Sequence, residues 1–429
     1  MTLSGVRFSV EHLALLALAA FVASIPSENG VTVAGVGSLS RLLGLIAFGV
    51  GLLSLVAGGR VRFRAPSLFL VLTALFSVWV AATYFWSIAP EVTVVRVNTM
   101  AQLAALVWLV HQLVRTEHDL DVAYQGFVLG CYVMVGVGIA TFFGSDGGFR
   151  NVGGGFNANG FAIVSALGVP MAWSLATRRR HGWLTVVNAL YPLWATVAVV
   201  LAASRGGLLT AIVALAIVPL LLGRLSPLRR LLLFVSLAAV TSAGALLLPT
   251  AFPELQRNID RLAEVDEELL GGGTLTGRTD IWAAGLDVFA GSPIVGVGMG
   301  GFNTAVWPVF GRSRSPHNAF LSVAVGSGGI GLTLYVLLVV VALLGVVANP
   351  VRRVEHLVLF AALLVGMMPT NSDNDKFAWF ILAALAAVRP VFVTVGWRPD
   401  VRRAPAPSPA PPATLRGSGP SSPQHRTTP

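Results

Sequence analysis

Long apolar stretches alternate with short polar ones along most of this chain. Read with a window of about 19 residues, the length that crosses a bilayer as a helix, the pattern predicts about twelve spans. They fall near 10–25, 39–57, 67–86, 97–114, 123–143, 158–176, 183–202, 206–222, 229–249, 317–348, 353–369 and 376–396. Hydrocarbon offers no water to bond a peptide group, so such runs must pair their own backbone. The expected fold class is therefore an all-α polytopic membrane protein. Val10 to Ile25 reads as a first span that is retained rather than as a cleaved leader. No repeat of 20–50 residues and no likeness between the halves is visible.

Two intervals break the rhythm. Residues 250–316 form the long polar stretch between spans, and the segment after Arg398 is rich in Pro, Ala and Ser. The expected organisation is nine transmembrane helices in 1–249, a loop with short helices in 250–316, and three helices in 317–396. Residues 397–429 then read as a disordered tail, since their composition cannot build a core.

Composition agrees with this class. Of 429 residues, 55% are hydrophobic and 11% charged, against about 25% charged in a soluble domain. The formal net charge of +10 does not point to nucleic acid, because most of the arginines sit in short loops between spans. Lys376 is the only lysine, and Cys131, the one cysteine, lies within an apolar run and reads as a small buried hydrophobe. With the N-terminus in the cytoplasm, alternate loops collect Arg60, Arg62 and Arg64; Arg115; Arg178 to Arg180; Arg224, Arg229 and Arg230; and Arg352 and Arg353. This is the positive-inside pattern, and it places both termini in the cytoplasm and 250–316 on the extracytoplasmic face.

Orientation makes the remaining arginines informative. Arg150 lies in GSDGGFRNVGGGFNANG, where snorkelling to headgroups competes with anion binding. Arg205 lies in the tight link AASRGG, whose Gly206 and Gly207 permit close backbone approach. In the long loop, 250–268 reads as a solvated helix without chemistry. The stretch from Gly277 to Phe320 contains Arg278, Arg312, Arg314 and His317. A short helix is expected from Thr279, as N-cap, to about Ala290, so Arg278 would stand at a helix N-terminus suited to phosphate; pairing with Asp280 is the competing reading. The run GVGMGG at 296–301 reads as a packed turn rather than a nucleotide loop. His317, in SPHNAFL at the mouth of a span, suits a general base that neighbouring positive charge keeps neutral; a helix-start residue bonded to a loop is the bland reading. Asp373 and Asp375, in TNSDNDK, could orient His317, neutralise arginine or hold a cation, although no metal-ligand spacing accompanies them.

The ordered blocks AASRGG, GRTDIW with GSPIVGVGMGGF, and SPHNAFL with GGIGLTLYV resemble the O-antigen ligase/polymerase superfamily, bacterial membrane glycosyltransferases that use polyprenyl-diphosphate-linked glycans. YFWSIAPE and FRNVGGGFNANGFA resemble further blocks of the family, the latter with Asn157-Ala158-Asn159 where the family usually has Asn-Pro-Asn. The likeness runs from about residue 40 to 390. It implies a twelve-span fold of the glycosyltransferase C type in the bacterial inner membrane, with one large extracytoplasmic loop over the donor site. By motif, Arg205 and Arg278 would hold the donor diphosphate and His317 would be the catalytic base. Arg150, Arg312, Arg314 and either Asp373 or Asp375 would support them. The resemblance further implies an inverting enzyme needing neither metal nor cofactor, with a polyprenyl-diphosphate-linked glycan as donor and a lipid or glycan as acceptor. Ligase and polymerase share these motifs.

A twelve-span secondary transporter of a small anion such as bicarbonate is the alternative from another class. Few carboxylates or broken-helix pairs lie within the expected spans, and conspicuous charge gathers at one face, which favours the enzyme.

Overall fold

Apolar side chains all round a segment bury it in lipid or in other helices, and backbone pairing then makes it helical. The computed structural model bears this out for the residues it describes, 9–387 apart from 29, 31, 34, 36, 57–62, 145–156, 179–181, 218–225, 229–230, 233–234, 236–238, 240–251 and 264–277. In chain order the helices are α1 (Val10–Ser24), α2 (Leu39–Val56), α3 (Leu68–Ala82), α4 (Pro90–Leu113), α5 (Glu117–Gly144), α6 (Ala158–Arg178), α7 (Trp183–Ala202) and α8 (Arg205–Leu215). After these come α9 (Gln256–Ala263), α10 (Arg278–Gly291), α11 (Phe302–Phe310), α12 (Ala319–Ala348), α13 (Arg353–Met367) and α14 (Lys376–Ala387).

Seven of these are long and apolar enough to cross a membrane: α2, α3 with its 3-10 extension to Trp86, α4, α5, α6, α7 and α12. Shorter apolar helices are α1, α8 and α14. The protein is thus an all-α polytopic membrane protein. The span expected at 229–249 falls largely outside the described residues, as do the Gly-rich part of the loop and the tail after 397. One element departs from the apolar pattern: β1 (Thr32–Val33) and β2 (Gly37–Ser38) pair antiparallel just before α2. The loop helix also begins at Arg278, so Thr279 lies inside its first turn rather than capping it.

α6 is the central helix, with Phe161 to Ala176 buried at nearly every position. Small residues let neighbours approach it and one another. A Cβ at Gly207 would overlap that of Ala162 across α8 and α6, and one at Gly130 would overlap the carbonyl oxygen of Ala23 across α5 and α1. Close backbone approach of this kind is how helices associate where lipid removes the hydrophobic driving force.

The two ends of the bundle differ in charge. At one end Arg64 donates to the carbonyls of His111 and Ala387, at 3.4 and 3.2 Å. There too Arg352, its side chain wholly buried, meets Glu117, Asp121 and Glu355. Arg178 donates to Glu355 at 3.1 Å and Ser174 to its other oxygen at 2.6 Å, tying α5, α6 and α13 together. The other end carries the polar cavity described below. Between them lies an apolar layer in which Phe76, Tyr335 and Trp379 pack in sequence and Phe127 stacks on Phe380 at 5.7 Å.

Because the turn that follows α1 supplies one wall of that cavity, the seat of α1 against α5 matters. Gly130→Leu is expected to destabilise the protein by roughly 3 kcal/mol or more through overpacking. The thermal midpoint in detergent would fall accordingly. Gly49→Ala, whose Cβ meets nothing within 4 Å, should leave the midpoint unchanged or raise it. Equal midpoints for the two variants would show that the α1–α5 contact is not limiting.

Candidate active site

Each residue of the Ser-Pro-His-Asn tetrad ahead of α12 is accounted for. Asn318 caps the helix, its Oδ1 accepting from the Leu321 N–H at 3.0 Å. The Pro316 carbonyl accepts from Trp282 Nε1 at 2.8 Å. Asn371 Nδ2 donates to Ser315 Oγ. Between these anchors His317 takes a left-handed backbone, φ +45°, a conformation that costs a side-chain-bearing residue on the order of 1–3 kcal/mol and persists where its surroundings enforce it. Among the described residues the other non-glycine at positive φ is Ala203, two positions before Arg205.

Trp282 and Arg278 lie one turn apart on α10, so the indole that fixes Pro316 also brings a guanidinium towards the imidazole. Burial first, and then the Arg278 charge, hold the His317 pKa below its ordinary value. The ring is therefore neutral at pH 7, as a base must be.

His317 faces a cavity of about 400 Å³. Glu28 from beyond α1, Arg96 of α4, Asn157 ahead of α6, Asn371 and Asn374 from the α13–α14 turn, and Asp375 beside Lys376 also line it. Lys376 pairs with Glu28. The two aspartates separate here. Asp375 stands in the cavity wall. Asp373 is buried behind it, with Oδ2 accepting from Ser322 at 3.3 Å and its carbonyl accepting from Trp379 Nε1 at 2.8 Å. Burial raises the Asp373 pKa to about 7, opposed by Arg96. Asp375 moves the same way through burial and the nearby charges of Asp373 and Glu28, opposed by Arg96 and Lys376. Both carboxyls are thereby held above the ordinary carboxylate range. Among the described residues no group of three His, Cys, Asp or Glu is placed to hold a metal ion.

Arg205 opens α8, after a turn in which Ala203 ends α7. Ser204 caps α8, accepting from Gly207 N–H at 3.0 Å and donating to Asn159 Oδ1 at 2.8 Å. The Asn-Ala-Asn block thus meets the AASRGG block directly. The loop helix α9, to which the sequence assigned no chemistry, docks on this turn. Arg205 Nε donates to the Arg261 carbonyl at 3.1 Å, Arg261 Nε to that of Ala203 at 3.3 Å, and Asn258 Nδ2 to that of Leu201 at 2.9 Å. A Cβ on Gly206 would press on Pro369, next to the cavity wall at Thr370.

The structure therefore brings His317 and Asp375 into one cavity, puts the charge of Arg278 on His317, and sets Arg205 on an adjoining turn outside the cavity lining. Arg312 is exposed, and Arg314 lies over the Phe310 ring at 5.9 Å; neither lines the cavity. Arg150 lies outside the described residues. Sequence reasoning passed over Arg96, Glu28 and Asn371. The first had a usable signal, a lone arginine inside an apolar helix; the other two had none, being ordinary polar residues in turns.

The GVGMGG run is a packed turn. Gly296, Gly298 and Gly300 have positive φ, and the segment closes a break in α12 at Gly328, where φ is 67° and ψ −170°. Val297 N–H donates to the Val325 carbonyl at 2.9 Å, and Gly329 N–H to that of Pro293 at 2.8 Å. Trp79 Nε1 bonds the Ser327 carbonyl at 2.8 Å, and Thr93 Oγ1 that of Met299 at 2.9 Å.

Residues 190–336 match the O-antigen ligase family, an interval that contains Arg205, Arg278 and His317. The chain is also similar to the exopolysaccharide production protein ExoQ of Rhizobium meliloti (strain 1021), 27% identical over 312 residues that cover 66% of this chain and 68% of that protein. The ordered motifs, the helical membrane architecture and these two likenesses agree in supporting the O-antigen ligase/polymerase superfamily.

Proposed function

We propose that this protein is a membrane glycosyltransferase that moves an oligo- or polysaccharide from a polyprenyl-diphosphate carrier to an acceptor hydroxyl, as a ligase or a polymerase. The reaction would take place at the extracytoplasmic face of a bacterial inner membrane, within a twelve-span fold of the glycosyltransferase C type whose termini are both cytoplasmic. The observation that carries the reading is the clamp from Trp282 to Pro316, which holds a neutral, strained His317 beside Arg278 at the mouth of a polar cavity.

In this scheme the acceptor hydroxyl lies in the cavity and gives its proton to His317. Its oxygen forms a bond to the anomeric carbon as the bond from that carbon to the diphosphate oxygen breaks. The electron pair leaves with the polyprenyl diphosphate, and attack from the side opposite the leaving group inverts the anomeric centre. Arg205 and Arg278 meet the charge that grows on the diphosphate, since guanidinium is permanently charged and bonds phosphate in pairs. Asp375 supports the imidazolium or receives its proton, and Asp373 shapes the wall behind it. The position of the arginine-rich end away from the cavity supports the proposed orientation. The apolar aromatic layer between the ends supports transfer at one face over transport through the middle.

The test is release of polyprenyl diphosphate by purified protein in proteoliposomes, given a polyprenyl-diphosphate oligosaccharide and a panel of acceptors. His317→Ala and Arg278→Ala should each lose roughly 100-fold or more while retaining wild-type circular dichroism. Asp375→Asn should lose transfer with folding intact. If folded His317→Ala and Arg278→Ala match wild type, the residue roles are wrong; if wild type releases nothing but carries bicarbonate across the bilayer, the transporter reading replaces this one. Product size separates ligase from polymerase.

A second expectation concerns pH. Arg278 lowers the His317 pKa, so Arg278→Gln should raise it towards its ordinary value of about 6.5. The residual activity would then fall off at a higher pH on acidification than in wild type, and NMR of the imidazole in micelles should show the same upward shift. A midpoint that stays put or moves down would show that the two groups are not coupled.

A further inference from the structure

The polar cavity at His317 shares Lys376 with a second space of different character. This second cavity, about 440 Å³, lies between α1, α2 and α4, against Phe21, Gly44, Leu45, Phe48, Ala105 and Leu106. Leu45 and Phe48 are exposed on the outside of α2, whereas Phe21, Leu106 and Leu109 make a buried floor. Lining residues run from Ser40 to Phe48 on α2 and from Ala101 to Leu109 on α4; over such lengths a helix advances roughly 12 Å. The space is thus an elongated apolar groove open along one side.

Its polar groups are few. Gln102 bonds back to Asn98 within its own helix. The others, Ser40, Arg41 and Lys376, stand where α2 and α14 begin. Ser40 is fully buried and its Oγ has no hydrogen-bond partner, although a buried hydroxyl ordinarily finds one. Arg41 is exposed and has no acidic partner among the described residues. A hydroxyl, the exposed guanidinium of Arg41 and, behind them, Lys376 with its Glu28 partner at the head of an apolar groove are complementary to a hydrocarbon chain ending in phosphate, Arg41 being the cation not already matched by a carboxylate among the described residues.

We infer that this groove holds the chain of a lipid-linked acceptor, with its phosphate on Ser40, Arg41 and Lys376 and its glycan reaching past Lys376 into the cavity at His317. This rests on the glycosyltransferase reading above. The assignment to acceptor rather than donor follows from placement: Arg205 and Arg278 line neither cavity. The cavity beyond Lys376 is instead bordered by the amides of Asn157, Asn371 and Asn374, which are partners for sugar hydroxyls. The donor's diphosphate and chain then approach from the α8–α10 side and the acceptor from the α2–α4 side, with His317 between.

The acceptor probe is a polyprenyl-linked glycan joined through a non-cleavable phosphonate, so that it accepts but cannot donate, with a diazirine in its chain. A lipid-free glycan of the same structure serves as the comparison. In proteoliposomes of full-length protein, Ala105→Phe, which fills the groove, and Arg41→Glu, which reverses its charge, should each raise KM for the lipid-linked acceptor roughly ten-fold. The KM for the donor and transfer to the lipid-free glycan should remain as in wild type. Photolysis should label peptides of α2 and α4, and unlabelled acceptor should compete where bulk phospholipid does not. A rise in donor KM instead would assign the groove to the donor chain and overturn the inference. Unchanged kinetics with labelling that bulk phospholipid competes away would show that only membrane lipid fills it. If wild type transfers nothing in any pairing, the parent reading fails, and labelling competed by the acceptor still decides occupancy of the groove by itself.

Discussion

A peptide group left unpaired in hydrocarbon costs several kcal/mol, and this site is assembled around one place where a helix breaks that rule and is repaired. Gly328 interrupts α12 nine residues after its start. The groups freed there are met by residues 293–297, whose Gly296 lies against the helix where a Cβ would overlap its backbone. Trp79, Trp86, Thr83 and Thr93, from α3, its 3-10 extension and α4, complete the pairing. The loop is thereby fastened to the membrane bundle midway between Arg278 and His317. Both residues are presented from a rigid frame rather than from a free loop, and rigidity is what a pre-organised charged site requires.

The second consequence is the strain at His317. The left-handed φ is tolerated because the residues on either side are bonded to α10, to the α13–α14 turn and to α12 itself. Ala203 repeats the arrangement beside Arg205, enforced by the return bonds between that turn and α9. In both places backbone strain accompanies a motif residue and is offset by bonds from elements far away in sequence.

Charge is divided by function between the two ends. At the end opposite the cavity, arginines meet carboxylates and carbonyls and hold helices together; losing one partner of such a buried set costs about 3–5 kcal/mol. Arg178 and Arg352, which in the sequence mark loop orientation, are in the structure ties between α5, α6 and α13. At the cavity end, by contrast, Arg96 faces a carboxylate pair with raised pKa values and Arg278 faces a neutral imidazole. These charges tune protons more than they bind helices.

What the sequence by itself determined was everything carried by local pattern. Apolar runs of spanning length specify a helical membrane protein, because hydrocarbon leaves the backbone no other partner. The ordered motifs around Arg205, Arg278 and His317 carry the resemblance to the superfamily, and the glycine run at 296–301 reads as a packed turn from composition alone. The tertiary structure decided what depends on convergence. It placed Asp375 in the wall and Asp373 behind it, although two residues apart they are equivalent as sequence. It brought Glu28, Arg96 and Asn371 to His317 from three distant parts of the chain, and it made α9, which reads as a solvated helix, the support of Arg205. Such meetings are set by close packing among helices distant in the chain, where a Gly, an Ala or a Trp at a crossing fixes the approach, and no window of local sequence contains both sides of that contact.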